Sequence, residues 1–288
     1  YHESATSTIY CTTAAATTTA TTRRGADSRN ALNLQSSLAG LDMALGRQEQ
    51  ALRRLRGNLE RFEKKSGGIG RDQLTTLLNL AELELSRREM TAAKGHYQRA
   101  LEVIGDPDSE PRMSSAALAR LGTIASEEGD LEGAERLLQR ARIVQVEQFG
   151  ADSDETAWTI VQLGILRRRQ ERFADALEML HGIASTIDSA RQSSLVSTYH
   201  SAVAETHAAL GQHEQALISG RRAVDVTQVD QAEHAAALFA LARVERAAGR
   251  EAEAVEHAQT ARERFVDSGD PRSREVDDWL ATGARQIE

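Results

Sequence analysis

Three histidines, His200, His207 and His213, fall close together in the chain, and imidazole is a common metal ligand. His200 and His207 are seven residues apart, near one face of a helix, but no carboxylate stands at ligand spacing beside them. Gly67-Gly68-Ile69-Gly70-Arg71 has the glycine content of a phosphate cradle. No Gly-Lys-Ser/Thr follows it, and it joins two helical stretches, so it reads as a turn. Cys11 has only His2 near it in sequence and lacks a positioned base. Asp277-Asp278 reads as a pair of solvated acids, and no serine sits in a Gly-x-Ser-x-Gly elbow. These residues predict no catalytic site, no bound metal and no cofactor.

Other chemistry must come from the elements that position the side chains. The chain has 288 residues, with 35 Lys plus Arg against 43 Asp plus Glu, a net charge of -8. That balance argues against a nucleic-acid binder. Apolar residues make up 40%, enough for a core, while aromatics are only 4% and there are three prolines. A single cysteine excludes an intramolecular disulfide and suits a reducing, cytoplasmic setting. No apolar run reaches membrane-spanning length. Nine of the first 22 residues are Thr, and residues 1–30 read as a Thr/Ala-rich linker or tail. From about Asn30 apolar residues recur at helical spacing, as in Leu74, Leu77, Leu78, Leu80 and Ala81, with no stretch of alternating β-branched residues. The expected class is all-α.

The segments LGTIASEEGDLEGAERLLQRA, LGILRRRQERFADALEMLHGI and LARVERAAGREAEAVEHAQTA each read as helix, tight polar turn, helix. Aligning the small residue of the second helix gives Ala51, Ala93, Ala134, Ala176, Ala216 and Ala254, at spacings of 42, 41, 42, 40 and 38. A small side chain lets helices approach closely without the helix penalty of glycine. Seven residues on stand Asn58, Ala100, Ala141, Ile183, Ala223 and Ala261, close to the same face. Gly46, Gly129, Gly211 and Gly249 mark the turns, and Gly122 and Gly164 follow a leucine inside first helices. Such hairpins must stack on one another to bury their apolar faces. Six hairpins over residues 31–270 and a capping helix over 271–288, with Val276, Trp279, Leu280 and Ile287, complete the reading.

The pattern resembles the tetratricopeptide repeat (TPR) family, through Leu121, Gly122, Ala134, Leu138 and Ala141 and through Ala93, Tyr97 and Ala100. The period exceeds the usual 34 residues and is similar to the longer variant of kinesin light chains and bacterial signalling proteins. The resemblance implies a right-handed α-solenoid with a concave groove lined by first helices. Mapping its groove positions selects Asn79, Arg120, Trp158, Gln162, Ile165, Arg168, Arg169, Phe239, Arg243 and Arg246, with Glu82 and Glu205 beside them. Arg and Trp supply bidentate pairing and large apolar area. Alternatively, Arg167-Arg168-Arg169 is a solvated helix end favoured by the macrodipole, and Trp158 is core. Leu78 and Glu82 occupy positions where the family's carboxylate clamp would need Lys and Asn.

The resemblance therefore implies a non-catalytic scaffold or adaptor that binds a protein or peptide, with an acidic peptide fitting the arginines. The alternative is a regulatory or substrate-recruiting region of a larger bacterial signalling enzyme: a Ser/Thr kinase, a nucleotide-switch ATPase or a caspase-like protease. The start at Tyr1 and the Thr/Ala tract motivate that alternative. Neither the partner nor the oligomeric state is set by the sequence.

Overall fold

The computed structural model describes residues 29–66, 70–227 and 231–284. Cys11 and the rest of the Thr/Ala-rich segment up to residue 28, the Gly67-Gly68-Ile69 run and Ile287 lie outside the described residues. Among the described residues the regular elements are all helical, and the architecture is an all-α helical-repeat solenoid.

The chain divides into two compact units, Tyr1–Ile124 and Ala125–Glu288. The first contains α1 (Arg29–Ala44), α2 (Gln48–Ser66), α3 (Leu74–Ser86), α4 (Met90–Ile104) and most of α5 (Pro111–Glu127). The second contains the end of α5, then α6 (Leu131–Phe149), α7 (Asp154–Arg169), α8 (Phe173–His181), α9 (Ala184–Ser189), α10 (Ser193–Ala209), α11 (His213–Asp225), α12 (Gln231–Ala247), α13 (Glu251–Asp267) and α14 (Ser273–Ala284). Hairpins one to six are α1–α2, α3–α4, α5–α6, α7 with α8 and α9, α10–α11 and α12–α13.

The alanine register sets the packing. Ala51, Ala93, Ala134, Ala176, Ala216 and Ala254 are all 0% exposed. A larger side chain there would have to push two helices apart, at about 1–3 kcal/mol. Five residues before each alanine the backbone turns left-handed: Gly46, Arg88, Gly129, Glu171, Gly211 and Gly249 all have positive φ. At each turn that residue donates to a carbonyl three back, and the next residue donates to one five back, as in Gly211 to Ala208 (3.0 Å) and Gln212 to His207 (2.9 Å). This Schellman arrangement satisfies the last carbonyls of the first helix. The following residue's carbonyl then accepts from the alanine's amide, as from Ala216 to Gln212 (3.0 Å), so one short turn ends one helix and starts the next.

Three hairpins carry a second lock in the same register, an acid nine residues before the alanine and a base three after it. Asp42 pairs with Arg54 (3.0 Å), Glu84 with His96 (2.8 Å) and Glu245 with His257 (2.7 Å). All three acids are buried, so removing a base would leave a buried carboxylate without that partner.

Each unit's core grows by neighbour-to-neighbour packing. In the first unit Leu52, Leu55 and Leu59 of α2 meet Leu74, Leu77, Leu80 and Leu83 of α3 and Ala100 and Ile104 of α4. In the second, Ala157 and Val161 of α7 meet Leu180, Ile183, Ile187 and, on α10, Leu195 and Tyr199. Ala204, Ala216 and Leu217 then pack with Leu241 and Val244 of α12. Leu238, Phe239, Ala258, Ala261 and Phe265 close against Val276 of α14.

The fourth hairpin departs from a continuous second helix. Gly182 and Ile183 interrupt it, splitting α8 from α9, with Ile183 donating to Leu180 (3.1 Å) in a tightened turn. Ile183 stands where four other hairpins have alanine, and its bulk is buried; the glycine beside it makes the break inexpensive.

Candidate functional site

First helices present the sequence-selected residues, and each unit is described by itself. In the first unit, Arg120 of α5 donates from Nε to Glu82 Oε1 of α3 (2.9 Å). The Tyr97 hydroxyl of α4 donates to the same oxygen (2.8 Å). Burial, and then the nearby Glu82 charge, push the Tyr97 phenol far up, so it stays a proton donor. One turn earlier on α3, Asn79 reaches back to the Ser36 carbonyl of α1 (3.4 Å).

In the second unit the charged residues form an array across successive first helices. Arg168 of α7 meets Glu205 Oε2 of α10 at 2.7 Å, and Arg243 of α12 grips Glu205 Oε1. Glu275 of α14 lies 3.7 Å from Arg243 on the other side. Burial alone would raise the Glu205 carboxyl; Arg243 and then Arg168 outweigh it and hold the group below the usual carboxylate range. With Glu275 beside Arg243, two arginines face two carboxylates, and the array is close to charge balance. The Nε of Arg168 is buried and has no hydrogen-bond partner among the described residues. Such a donor costs about 1–3 kcal/mol relative to a satisfied one.

The three arginines that end α7 diverge. Arg167 points back to α6 and makes a two-pronged pair with Glu135 (2.6 and 2.7 Å). Arg169 donates to the Ser126 carbonyl (2.8 Å). Arg168 alone goes forward to Glu205. The run is thus more than a solvated helix end.

The apolar candidates also separate. Trp158 and Ile165 are half-buried on α7 and pack against the cluster that Tyr199 and Leu195 complete. Gln162, between them, is buried. Phe239 is also buried: it meets the Trp279 ring edge-on, centroids 5.7 Å apart, and Arg243 covers its face at 4.7 Å. Arg246 is bidentate to Glu251 (2.9 to 3.1 Å), donates to the Trp279 carbonyl (3.0 Å) and lies 3.3 Å from the centroid of the Trp279 ring. Phe239 and Arg246 therefore hold α14 in place. Trp279, Glu275 and Glu135 were outside the sequence-selected set. Only helical spacing pointed to Trp279, and nothing local paired Glu135 with an arginine 32 residues away.

Of the histidines, His200 is half-buried beside Tyr199, and burial, then Arg222, lower its pKa. His207 lies near His181, ring centroids 6.1 Å apart. Among the described residues no group of three or more His, Cys, Asp and Glu is arranged to hold a metal, and no helix is long and apolar enough to cross a membrane.

Residues 113–180 match the tetratricopeptide repeat family model. A tetratricopeptide repeat protein from Parabacteroides merdae has the same fold, with a TM-score of 0.63 at 16% identity, covering 92% of this chain and 88% of that one. The Rap protein in complex with competence and sporulation factor gives a TM-score of 0.70 at 12% identity, over 85% of this chain and 67% of that one. BtubC (BKLC) from P. vanneervenii gives 0.52 at 17% identity, over 78% and 92%. At these identities the likeness is one of fold. No curated protein matches the sequence.

Proposed function

Because this chain is a tetratricopeptide-repeat protein, we propose that it is a scaffold without catalysis of its own, which captures a partner protein or peptide on its first-helix face. The observation that carries the reading is the array from Arg168 through Glu205 to Arg243, which spans three successive first helices. Half-buried Trp158 and Ile165 stand on the same helix as Arg168, with Ile165 one turn before it. Together they offer apolar area beside oriented charge, the combination that hot spots use. The spare Nε–H of Arg168 adds a donor that a partner's acceptor would satisfy after a small side-chain rotation.

The charge of the partner follows from the pairing. Arg120, Arg168, Arg243 and Arg246 all have carboxylate partners within this chain. A carboxylate ligand must compete with Glu205 for two of them and with Glu275 for Arg243, so the array offers it no surplus positive charge. We therefore propose a partner recognised mainly through apolar and hydrogen-bonding contact, with acidity as a secondary preference.

The test is crosslinking in the source cell, with a photoreactive residue at position 165 and the adducts identified by mass spectrometry. The identified partner is then titrated against folded Trp158→Ala and Arg168→Glu proteins. Each change is expected to weaken binding about tenfold or more. Unchanged affinity in both variants would overturn the site.

A further inference from the structure

The second helices form a different surface, and the alanine register lets its grooves be compared position by position. Between hairpins one and two, Glu49 (two before Ala51) pairs with Arg87 (six before Ala93) at 2.6 Å. Arg56 (five after Ala51) reaches Glu89 (four before Ala93) at 3.6 Å. Between hairpins three and four, Glu135 bridges to Arg167 (2.6 Å) and to Gln170 (3.2 Å), the latter again six before an alanine. Between hairpins four and five the His181 and His207 rings meet.

Between hairpins five and six the same positions carry a different set. Glu214 stands where Glu49 does, but Ala248 replaces the arginine that would meet it. Arg221 stands where Arg56 does, but Arg250 replaces the glutamate. Neither ion pair seen between hairpins one and two can form here, one for want of the arginine and one by charge reversal. Neither Arg221 nor Arg250 has an ion-pair partner among the described residues, and both are exposed. A cavity of about 500 Å³ here is lined by Arg221 and Arg250 together with the aliphatic side chains of Leu217, Ile218 and Ala248. Ile218 is 50% exposed, which leaves apolar area open to a partner. His213 and Glu214 complete the lining.

Two cations beside apolar surface, against the single carboxylate of Glu214, are a liability in a free protein and an asset toward an anion attached to an aliphatic body. Arginine suits a carboxylate through its planar fork of donors. We propose that this cavity is a second docking site, which takes an acidic side chain and an adjacent aliphatic side chain from a partner protein. The carboxylate sits between Arg221 and Arg250, and the aliphatic group covers Ile218. This site shares no residue with the first-helix array and stands whether or not that array binds.

The experiment uses the full chain, uniformly ¹⁵N-labelled, titrated with the probe peptide acetyl-Glu-Leu-Glu-Leu-amide. Parallel titrations use acetyl-Gln-Leu-Gln-Leu-amide and inorganic phosphate. Saturable shifts are expected at residues 213–221 and 248–250 with the acidic peptide. Affinity is expected to fall about tenfold for the Gln peptide and for the Arg221→Gln/Arg250→Gln protein. An Ile218→Ser protein, which leaves both charges in place, is expected to weaken the peptide and leave phosphate unaffected. Equal affinity for both peptides, or phosphate reproducing the full effect, would overturn the proposal. Shifts confined to Trp158 and Arg168 would also overturn it, while supporting the first-helix array.

Discussion

Arg88 and Glu171 hold left-handed backbone at φ of 61 and 60, where four other hairpins use glycine. A side chain pays about 1–2 kcal/mol there, and glycine returns part of that relief through its freer unfolded chain. Glu171 is exposed, so its side chain has little packing to lose. Glu171→Gly is expected to stabilise the protein by about 0.5–1 kcal/mol, measured as a rise in the urea midpoint at unchanged slope. A lower midpoint would show that the Glu171 side chain matters more than its backbone. Turns at Gly46, Gly129, Gly211 and Gly249 were legible because glycine advertises the conformation. The same conformation at Arg88 and Glu171 was legible only from the period, since neither residue type signals it. The six alanines were legible for a similar reason: a recurring small residue has few uses other than close approach.

At the scale of elements, what the sequence left out was the pairing between them. Arg167, Arg168 and Arg169 are one run in sequence, yet successive helical residues point about 100° apart, and each arginine serves a different neighbour. The Arg167–Glu135 pair ties α7 to α6. Its hydrogen bonds, against a smaller desolvation effect, lower the Glu135 carboxyl from 4.5 to about 2. A depressed carboxyl contributes stability that is complete above its unfolded value and is lost as pH falls through the folded one. The contribution from Glu135 should therefore be intact above about pH 4.5 and fade toward pH 2. Glu135 is about a third exposed, so solvent screening reduces the full linkage value to about 1–2 kcal/mol. Arg167→Met is expected to remove that amount at pH 7 and to flatten the stability profile between pH 4.5 and 2. Urea melts at several pH values provide the check. Parallel profiles for the two proteins would mean that the pair carries no pH dependence.

For the molecule as a whole, the sequence predicted repeated hairpins but did not mark the division near Ile124, which falls inside a regular helix; Gly122 stands two residues before it, yet Gly164 holds the same register in α7, where the chain does not divide. The groove residues were selected by family position, and the structure separates them by burial: Trp158 and Ile165 stay partly accessible while Phe239 turns to the core. What covers Phe239 is α14, through the Trp279 ring that it shares with Arg246. Repeat proteins are stabilised by nearest-neighbour terms, so a defect at one end should not spread evenly. Trp279→Ala removes an aromatic contact and a cation–π contact, together worth about 1–3 kcal/mol. Amide exchange is therefore expected to accelerate most in α12 and α13, less in α10 and α11, and little in α7. That gradient follows from α14 contributing, among the described residues, to the last apolar cluster, around Phe239, Phe265 and Val276. An equal acceleration from α7 to α13 would instead show that the second unit opens as one cooperative block, and that the interfaces between its hairpins outweigh the hairpins themselves.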